Sequence, residues 1–295
     1  MFALLVAATA FAPSQPPTDP HNAINPLYKS QLDTGLPVGK DVATKLPAPT
    51  MPDGLDAAKQ KAIITKLIGD DSYEDFTGNS QVAPQRLILR EAVSSDPKVP
   101  IDPKNPARGV DIWFVVYGDL KWLDDEKFLD RISNSGRGEG KGTSLTVADL
   151  AKRKIVVADP KQERFGHIEF DFLDRVRIRA TGRAATSKTA DSVLVASEID
   201  PRFRGDADFP NQWQSLTKDD GAVKVGAVNQ WGGAGFYLKI TKLAEPAGAL
   251  FVEQHIVFTG PVGWFDGANL LRSKLPPVVQ SNVRSMRKEW AKMAK

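Results

Sequence analysis

The last residues of the chain alternate between apolar and polar with the period of an α-helix. Five apolar side chains recur at steps of four, three, four and three residues, so they share one helical face. They are Val279, Val283, Met286, Trp290 and Met293. Pro276 and Pro277 fit the first turn, where a missing N–H breaks no hydrogen bond. The pattern predicts a long closing helix from Leu275 that either packs on a sheet or covers a cavity in it.

Alternation with a period of two residues predicts strands in the middle of the chain. Residues 167–180 place Phe170, Phe172, Val176 and Ile178 on one side and charged residues on the other, which predicts one half-buried strand. Residues 235–243 and 250–258 predict a hairpin, and the apolar run 110–117 predicts a central strand. There is no βαβ alternation. The predicted fold class is therefore α+β, with an antiparallel sheet packed on a long C-terminal helix.

The N-terminal part of the chain predicts an exported protein. Residues 1–12, MFALLVAATAFA, form a short apolar run with small residues at the spacing of a secretory cleavage site, so we expect a signal peptide and a periplasmic or extracellular location. Residues 13–54 are rich in Pro, Asn, Asp and Gly and predict a linker or arm that extends along the surface. Residues 55–295 are then expected to form a single α+β domain.

Composition excludes several classes of site. The chain has 295 residues, 39 basic against 36 acidic side chains and a net charge of +3, so nothing in its charge favours a nucleic-acid partner. It contains no cysteine, which excludes disulfides, thiolate nucleophiles and Cys-ligated zinc. After the first residues, no apolar run is long enough to predict a transmembrane helix. We predict no cofactor, and protein partners cannot be inferred from the sequence.

Two motifs resemble ligand sites without matching them. Residues 136–142, GRGEGKG, lack the spacing of a phosphate-binding loop, and the segment before them is predicted as a helix, so a surface loop is favoured. Asp200, Asp206 and Asp208 supply oxygen ligands, but not at the spacing of a calcium-binding loop. Arginines within the same loop make local ion pairs the simpler use of these carboxylates.

Three polar residues of the predicted strands are candidates for a pocket wall. His255 lies on the same strand face as Glu253, either as part of a polar pair or as a general base. Tyr237 lies in the other strand of the same hairpin. Asp174 falls on the apolar side of its strand, where a carboxylate is costly unless it faces water, meets an arginine such as Arg183, or lines a polar part of a cavity.

The C-terminal region, from Gly235 onward, resembles the end of START-type lipid-transfer domains and of the wider helix-grip fold. The residues that carry the resemblance are Gly263-Trp264, Asn269 and Leu275-Pro276, within about a fifth of the chain. The chain departs from that pattern at Val262, where the family has a second glycine, and in lacking a proline after the aromatic residue. The resemblance implies a curved antiparallel sheet around the C-terminal helix and an apolar cavity. It carries over no catalytic residue.

The resulting hypothesis is a binding protein for a hydrophobic, lipid-like molecule held between sheet and helix. We expect Trp264 and Phe265, beside the glycine turn, to line the pocket with Tyr237, His255 and Asp174. The sequence favours binding over catalysis but leaves open an enzyme of the hydrolase or cyclase type on the same fold. A structural protein of the cell envelope is the third alternative.

Overall fold

A computed structural model of the chain describes residues 19–39, 41–125, 127–128, 140–157, 159, 162–220, 222–261, 263–264 and 269–293. The predicted signal peptide lies outside these residues, and so does most of the helix expected over residues 124–133. The described chain is α+β, with one large, curved antiparallel sheet and a long C-terminal helix, which confirms the predicted fold class. No helix among the described residues is long and apolar enough to cross a bilayer.

Strands contribute more residues than helices to the described chain. The helices are α1 (His21–Ile24), α2 (Pro26–Asp33), α3 (Ala57–Ile68), α4 (Tyr73–Phe76), α5 (Val147–Lys152) and α6 (Asn269–Met293). The strands are β1 (Leu36–Gly39), β2 (Val42–Thr44), β3 (Arg86–Glu91), β4 (Ala107–Tyr117), β5 (Lys141–Ser144), β6 (Glu163–Phe172), β7 (Val176–Lys188), β8 (Ser192–Ile199), β9 (Gln212–Asp219), β10 (Ala222–Val225), β11 (Asn229–Gln230), β12 (Ala234–Lys242) and β13 (Ala249–Thr259).

The large sheet runs in the order β5-β6-β7-β8-β12-β13-β4-β3, and every pair is antiparallel. Strand β9 pairs with the first residues of β7, and β8 pairs with later residues along the same edge of β7. Strands β10 and β11 pair with β9. The predicted hairpin is confirmed as β12 and β13, which pair from Ala234 with Phe258 to Lys242 with Leu250.

Helix α6 covers what we call the inner face of the sheet. Val279, Val283 and Trp290 are buried there, and Met286 and Met293 pack against the same core, so the predicted apolar stripe is confirmed. The predicted start of the helix is wrong. It begins at Asn269, and Pro276 and Pro277 lie inside it. A proline ring fixes φ near the helical value, but inside a helix it removes an N–H donor and crowds the carbonyl four residues earlier. The buried Leu271 and Leu275 hold the turns before the prolines against the core.

The strand predicted over residues 167–180 is in fact the hairpin of β6 and β7. The chain reverses at Leu173 and Asp174, which both have positive φ angles, of 54° and 57°. Phe172 then pairs with Val176, and Phe170 with Ile178. All four remain on the inner face because cross-strand partners share a face. The alternate spacing of these four residues therefore continues through the turn without a break, so the sequence pattern gave no sign of the turn.

The opposite, outer face of the sheet is covered by the N-terminal part of the chain. Residues predicted to form an extended arm instead contain α1, α2 and the β1–β2 hairpin from Asp19 onward. Tyr28, Leu36 and Met51 are fully buried against outer-face side chains such as Tyr237 and Phe251. Helix α3 continues this layer. Whether residues 55–295 can fold alone, as the predicted domain boundary implies, stays a prediction.

Candidate functional site

A concave cleft of about 810 Å³ opens on the inner face of the sheet, over β5, β6, β7, β8 and β12. The cleft therefore lies away from β3 and β4, which form the other edge of the sheet. Helix α6 packs near that other edge, on β4. The inner-face residues that line it are Gly142, Ser144, Arg164, Gly166, Ile168, Phe170, Ala180, Gly182, Ala184, Ser197, Ile199, Trp231, Ala234, Phe236 and Ile256.

Small residues form the floor of this cleft. Gly166 and Gly182 are direct cross-strand partners, and Ala180 and Ala184 flank Gly182 on the same face of β7. A methyl group added at Gly166 would have only the carbonyl oxygen of Thr143 nearby, at 3.6 Å, which is ordinary van der Waals contact. Above Gly166, therefore, the described residues leave room for a side chain.

Apolar side chains form the walls and are only partly buried. Along β12, the inner-face positions 234, 236 and 238 are partly exposed, whereas the outer-face positions 235, 237 and 239 are buried. The inner-face positions Ile256 on β13 and Ile199 on β8 are also partly exposed, although their outer-face neighbours are buried. Among the described residues, an apolar inner surface is therefore left partly exposed over the central strands.

Trp264 lies beside the cleft and not in its wall. Its side chain is 1% exposed, and its ring centroid lies 5.8 Å from that of Trp231, which lines the cleft, and 5.6 Å from that of Trp213. Phe172 completes this aromatic cluster at 6.2 Å. Trp264 is thus placed to support Trp231. The other aromatic residue expected at this turn, Phe265, lies outside the described residues.

Asp174 does not lie in the cleft. It is exposed in the three-residue turn, 173–175, between β6 and β7, so of the three alternatives for this carboxylate the structure selects the one that faces water. Arg183, the partner considered for it, instead pairs with Glu198 at 2.8 Å. Sequence alternation alone could not place Asp174 at a turn.

Tyr237 and His255 are close together but on the outer face, away from the cleft. Their ring centroids are 4.9 Å apart, and both side chains are buried beneath the N-terminal part of the chain. The Tyr237 hydroxyl donates to the carbonyl of Pro47 at 2.8 Å, and burial raises the pKa of Tyr237 well above its ordinary value. Neither side chain is among those that line the cleft, and both belong to a separate polar cluster.

The polar cluster also contains charged residues that the sequence did not single out as site residues. Lys239 is fully buried and lies 2.9 Å from Asp53. Burial raises the pKa of Asp53, but hydrogen bonds from Thr189 and Lys239 outweigh it, so the net effect is a lowered pKa. Glu253, also fully buried, accepts from the backbone N–H groups of Thr50 and Met51 at 2.6 and 3.2 Å. Every charge in this cluster therefore has a partner.

The aspartates of the loop before β9 are used in ion pairs. Asp206 and Asp208 accept from Arg153, and Asp200 accepts from Arg202, which agrees with the simpler interpretation of these carboxylates. Within the described ranges, no group of three acidic or histidine side chains is placed to hold a metal ion.

Polar groups at the border of the cleft are engaged with the protein. The Ser197 hydroxyl donates to the carbonyl of Arg183 at 3.0 Å. His167 Nδ1 lies 2.8 Å from the Thr181 hydroxyl, and burial lowers the pKa of His167, which favours the neutral imidazole. Among the described residues, the cleft is lined by the titratable side chains of Arg164, His167, Arg183 and Glu198, and burial raises the pKa of Glu198. The place of His167 there follows from the pairing of β6 with β7 rather than from any sequence motif.

No protein-family model matches the chain, and no curated protein matches it. Among solved structures, human StAR-related lipid transfer protein 5 aligns with 8% identity and a TM-score of 0.40, over 81% of this chain and 98% of its own. The human StarD13 (DLC2) lipid transfer and protein localization domain aligns with 9% identity and a TM-score of 0.37, over 70% of this chain and 89% of its own. Protein Ms6760 from Mycobacterium smegmatis aligns with 10% identity and a TM-score of 0.30, over 61% of this chain and 88% of its own.

These alignments extend over most of the chain, so the likeness is not confined to the C-terminal fifth in which the sequence resemblance lies. At such identities and TM-scores the likeness does not establish what this chain binds.

Proposed function

We propose that this protein binds a hydrophobic, lipid-like small molecule in the cleft on the inner face of its sheet. The observation that carries the proposal is the pattern of burial on β12, β13 and β8, where polar outer-face side chains are buried and apolar inner-face side chains are partly exposed. Apolar surface left open to water is a free-energy cost that a bound apolar molecule would remove.

The size and lining of the cleft support the same function. A volume of about 810 Å³ lies within the range typical of small-molecule sites. The walls contain the aromatic side chains of Phe170, Phe236 and Trp231, which can contact an apolar ligand. The floor contains Gly166 and Gly182, whose lack of side chains makes the cleft deeper. Trp264 would act indirectly, by holding the Trp231 ring in position.

The experiment is to fill the cleft and measure binding. Gly166→Leu puts a side chain into open space above the floor, with no clash at its Cβ. The matched control is Gly39→Leu on β1, where an added Cβ meets only Val42 at 3.7 Å and the cleft is distant. A fluorescent fatty acid and a fluorescent sterol are titrated into delipidated wild-type protein and both variants, and native mass spectrometry tests for a copurified molecule.

We expect saturable binding by wild type and by Gly39→Leu, and affinity at least about tenfold weaker for Gly166→Leu, a loss of ~1.4 kcal/mol. Both variants are expected to keep the wild-type melting temperature. Equal binding by all three proteins would place the ligand elsewhere. Absence of saturable binding to wild type, with no copurified molecule, would refute the proposal and favour the structural alternative.

An enzyme on this fold remains the second alternative from the sequence, but no arrangement of side chains in the described cleft favours a particular reaction. Export of the protein stays a prediction from residues 1–12. N-terminal sequencing of the mature protein from an exported fraction would test it, with Phe11 or Pro13 as the expected first residue.

A further inference from the structure

The outer face of the sheet holds an irregular stretch of chain by side-chain contacts. Residues 46–53, which we call the covering segment, form no strand. Glu253 accepts from the N–H groups of Thr50 and Met51, Lys239 donates to the carbonyl of Met51 at 2.9 Å, and Tyr237 donates to Pro47. Because charged sheet side chains supply these contacts, the attachment of the segment depends on their state of ionisation.

His255 stands between two carboxylates on this face. Its Nδ1 lies 2.8 Å from Asp111 Oδ1, and its Nε2 lies 3.4 Å from Glu253 Oε2, the oxygen that also accepts from Thr50 N–H. A neutral imidazole carries one N–H and can donate to only one of the two carboxylates, leaving a lone pair facing the other. An imidazolium can donate to both, so the geometry is satisfied only by the protonated ring.

Within the ion pairs that join Arg90, Lys239 and His255 to carboxylates, cations and anions are equal in number only when His255 is protonated. The cations are then Arg90, His255 and Lys239, and the anions are Asp111, Glu253 and Asp53, joined in pairs across the cluster. The imidazole faces Asp111 from β4, whose carboxylate also accepts from Arg90 on β3, and Glu253 on its own strand. Without the proton these ion pairs hold one more anion than cation, beside the fully buried side chains of Lys239 and Glu253.

The other titratable groups packed around this face do not compensate for that loss. Burial raises the pKa of Tyr28, on α2, and of Tyr237, on β12, so both stay neutral. Burial also lowers the pKa of His21, on α1, whose ring bonds to Ser187 and Ser192. Asp19 accepts from the Tyr28 hydroxyl at 2.6 Å and adds no cation. Protonation of His255 therefore decides whether these ion pairs contain equal numbers of cations and anions.

We propose that His255 is a pH-sensitive clamp: its protonated ring holds Glu253 in place to bind the covering segment, and loss of the proton loosens that segment. Burial alone lowers the pKa of His255, but the hydrogen bonds to Asp111 and Glu253 outweigh it and raise the pKa above 6.5. Because the folded value exceeds the unfolded one, the stabilisation is complete below about pH 6.5 and is lost as pH rises through the folded pKa.

The first test uses the wild-type protein. The chain has three histidines, His21, His167 and His255, so single replacements assign the NMR signal of each ring. Hydrogen exchange of the Thr50 and Met51 amides is measured from about pH 5 to about pH 9 and corrected for intrinsic rates. We expect His255 to titrate above 6.5. Between pH 6.5 and the pKa of His255 in the folded protein, the protection of both amides should fall by about tenfold per pH unit. Above the folded pKa the protection should level off.

The second test removes the titrating group. His255→Gln is expected to lose the pH dependence of protection at Thr50 and Met51, whereas the control His167→Gln, at the cleft border, should keep it. Titration of His255 below 6.5, or protection of the two amides that stays level across the range in wild type, would overturn the proposal. The wild-type result decides the matter even if the His255→Gln variant fails to fold. It is also independent of ligand binding in the cleft.

Discussion

Arg287 on α6 donates its Nε–H to the backbone carbonyl of Val115 on β4, at 2.9 Å. Strand β3 pairs with β4 only as far as Arg86 and Trp113, and beyond that point no strand of the described residues pairs with this edge of β4. The guanidinium also donates to the carbonyls of Ala83 and Pro84. Burial lowers the pKa of Arg287 to about 10, which still leaves it cationic at neutral pH. One helix side chain thus attaches the C-terminal helix to the uncovered edge of the sheet.

Replacing Arg287 by methionine is expected to destabilise the protein by about 2–4 kcal/mol, because two buried carbonyls and that of the exposed Pro84 lose their donor while the length of the side chain is kept. Urea unfolding followed by tryptophan fluorescence measures the change. The control is Arg284→Met on the exposed face of the same helix, with an expected effect within ~0.5 kcal/mol. Equal effects of the two substitutions would show that the carbonyl contacts contribute nothing.

Trp290→Ala is expected to cost about 3–5 kcal/mol of stability, the usual range for removing a buried tryptophan. The side chain is 1% exposed, and its ring lies 5.1 Å from that of Phe128 and 5.8 Å from that of Trp122, measured between centroids. Thermal and urea unfolding measure the loss, and Val278→Ala, at an exposed position of the same helix, is the control. An unchanged melting temperature for Trp290→Ala would contradict the packing of α6 on the inner face.

A chain that begins at Leu55 is expected to aggregate or to melt well below the full chain. The deletion removes Tyr28, Leu36 and Met51, which are buried on the outer face, and uncovers Lys239 and Glu253 without their partners. Size-exclusion chromatography and thermal unfolding compare it with a chain that begins at Asp19. If the shorter chain were monomeric and as stable as the longer one, residues 55–295 would be an independent domain, as their sequence predicted.

Asp206→Asn is expected to cost about 1–2 kcal/mol at neutral pH, with the difference from wild type vanishing in acid. Arg153 donates to both carboxylate oxygens and lowers the pKa of Asp206 to about 2, from 3.8. Because the folded pKa is the lower one, the stabilisation is present above 3.8 and is lost as pH falls through about 2. Urea unfolding at several pH values measures it. Asp208→Asn, at a mostly exposed carboxylate, should cost less, and a larger effect there would contradict the assignment.

Local periodicity was sufficient for much of the fold. The stripe from Val279 to Met293 and the alternation of β12 and β13 each depend on neighbouring residues alone, and both were predicted. The turn at Leu173 and Asp174 was missed for a physical reason. Cross-strand partners share a face, and the three-residue turn 173–175 pairs Phe172 with the residue four positions later, so the alternation of Phe170, Phe172, Val176 and Ile178 continues without a break.

The sites depended on contacts between distant parts of the chain. The polar outer face with Lys239, Glu253 and His255 has the pattern of a surface exposed to water, and only the tertiary structure shows that residues 46–53 cover it. The cleft is a similar case, because Phe236 and Ile256 would be apolar in either a cavity wall or a solid core. The sequence by itself determined the fold class and the apolar face of the closing helix, since these follow from the spacing of side chains along one element. The tertiary structure decided what covers each face of the sheet, since that depends on how segments far apart in sequence pack together.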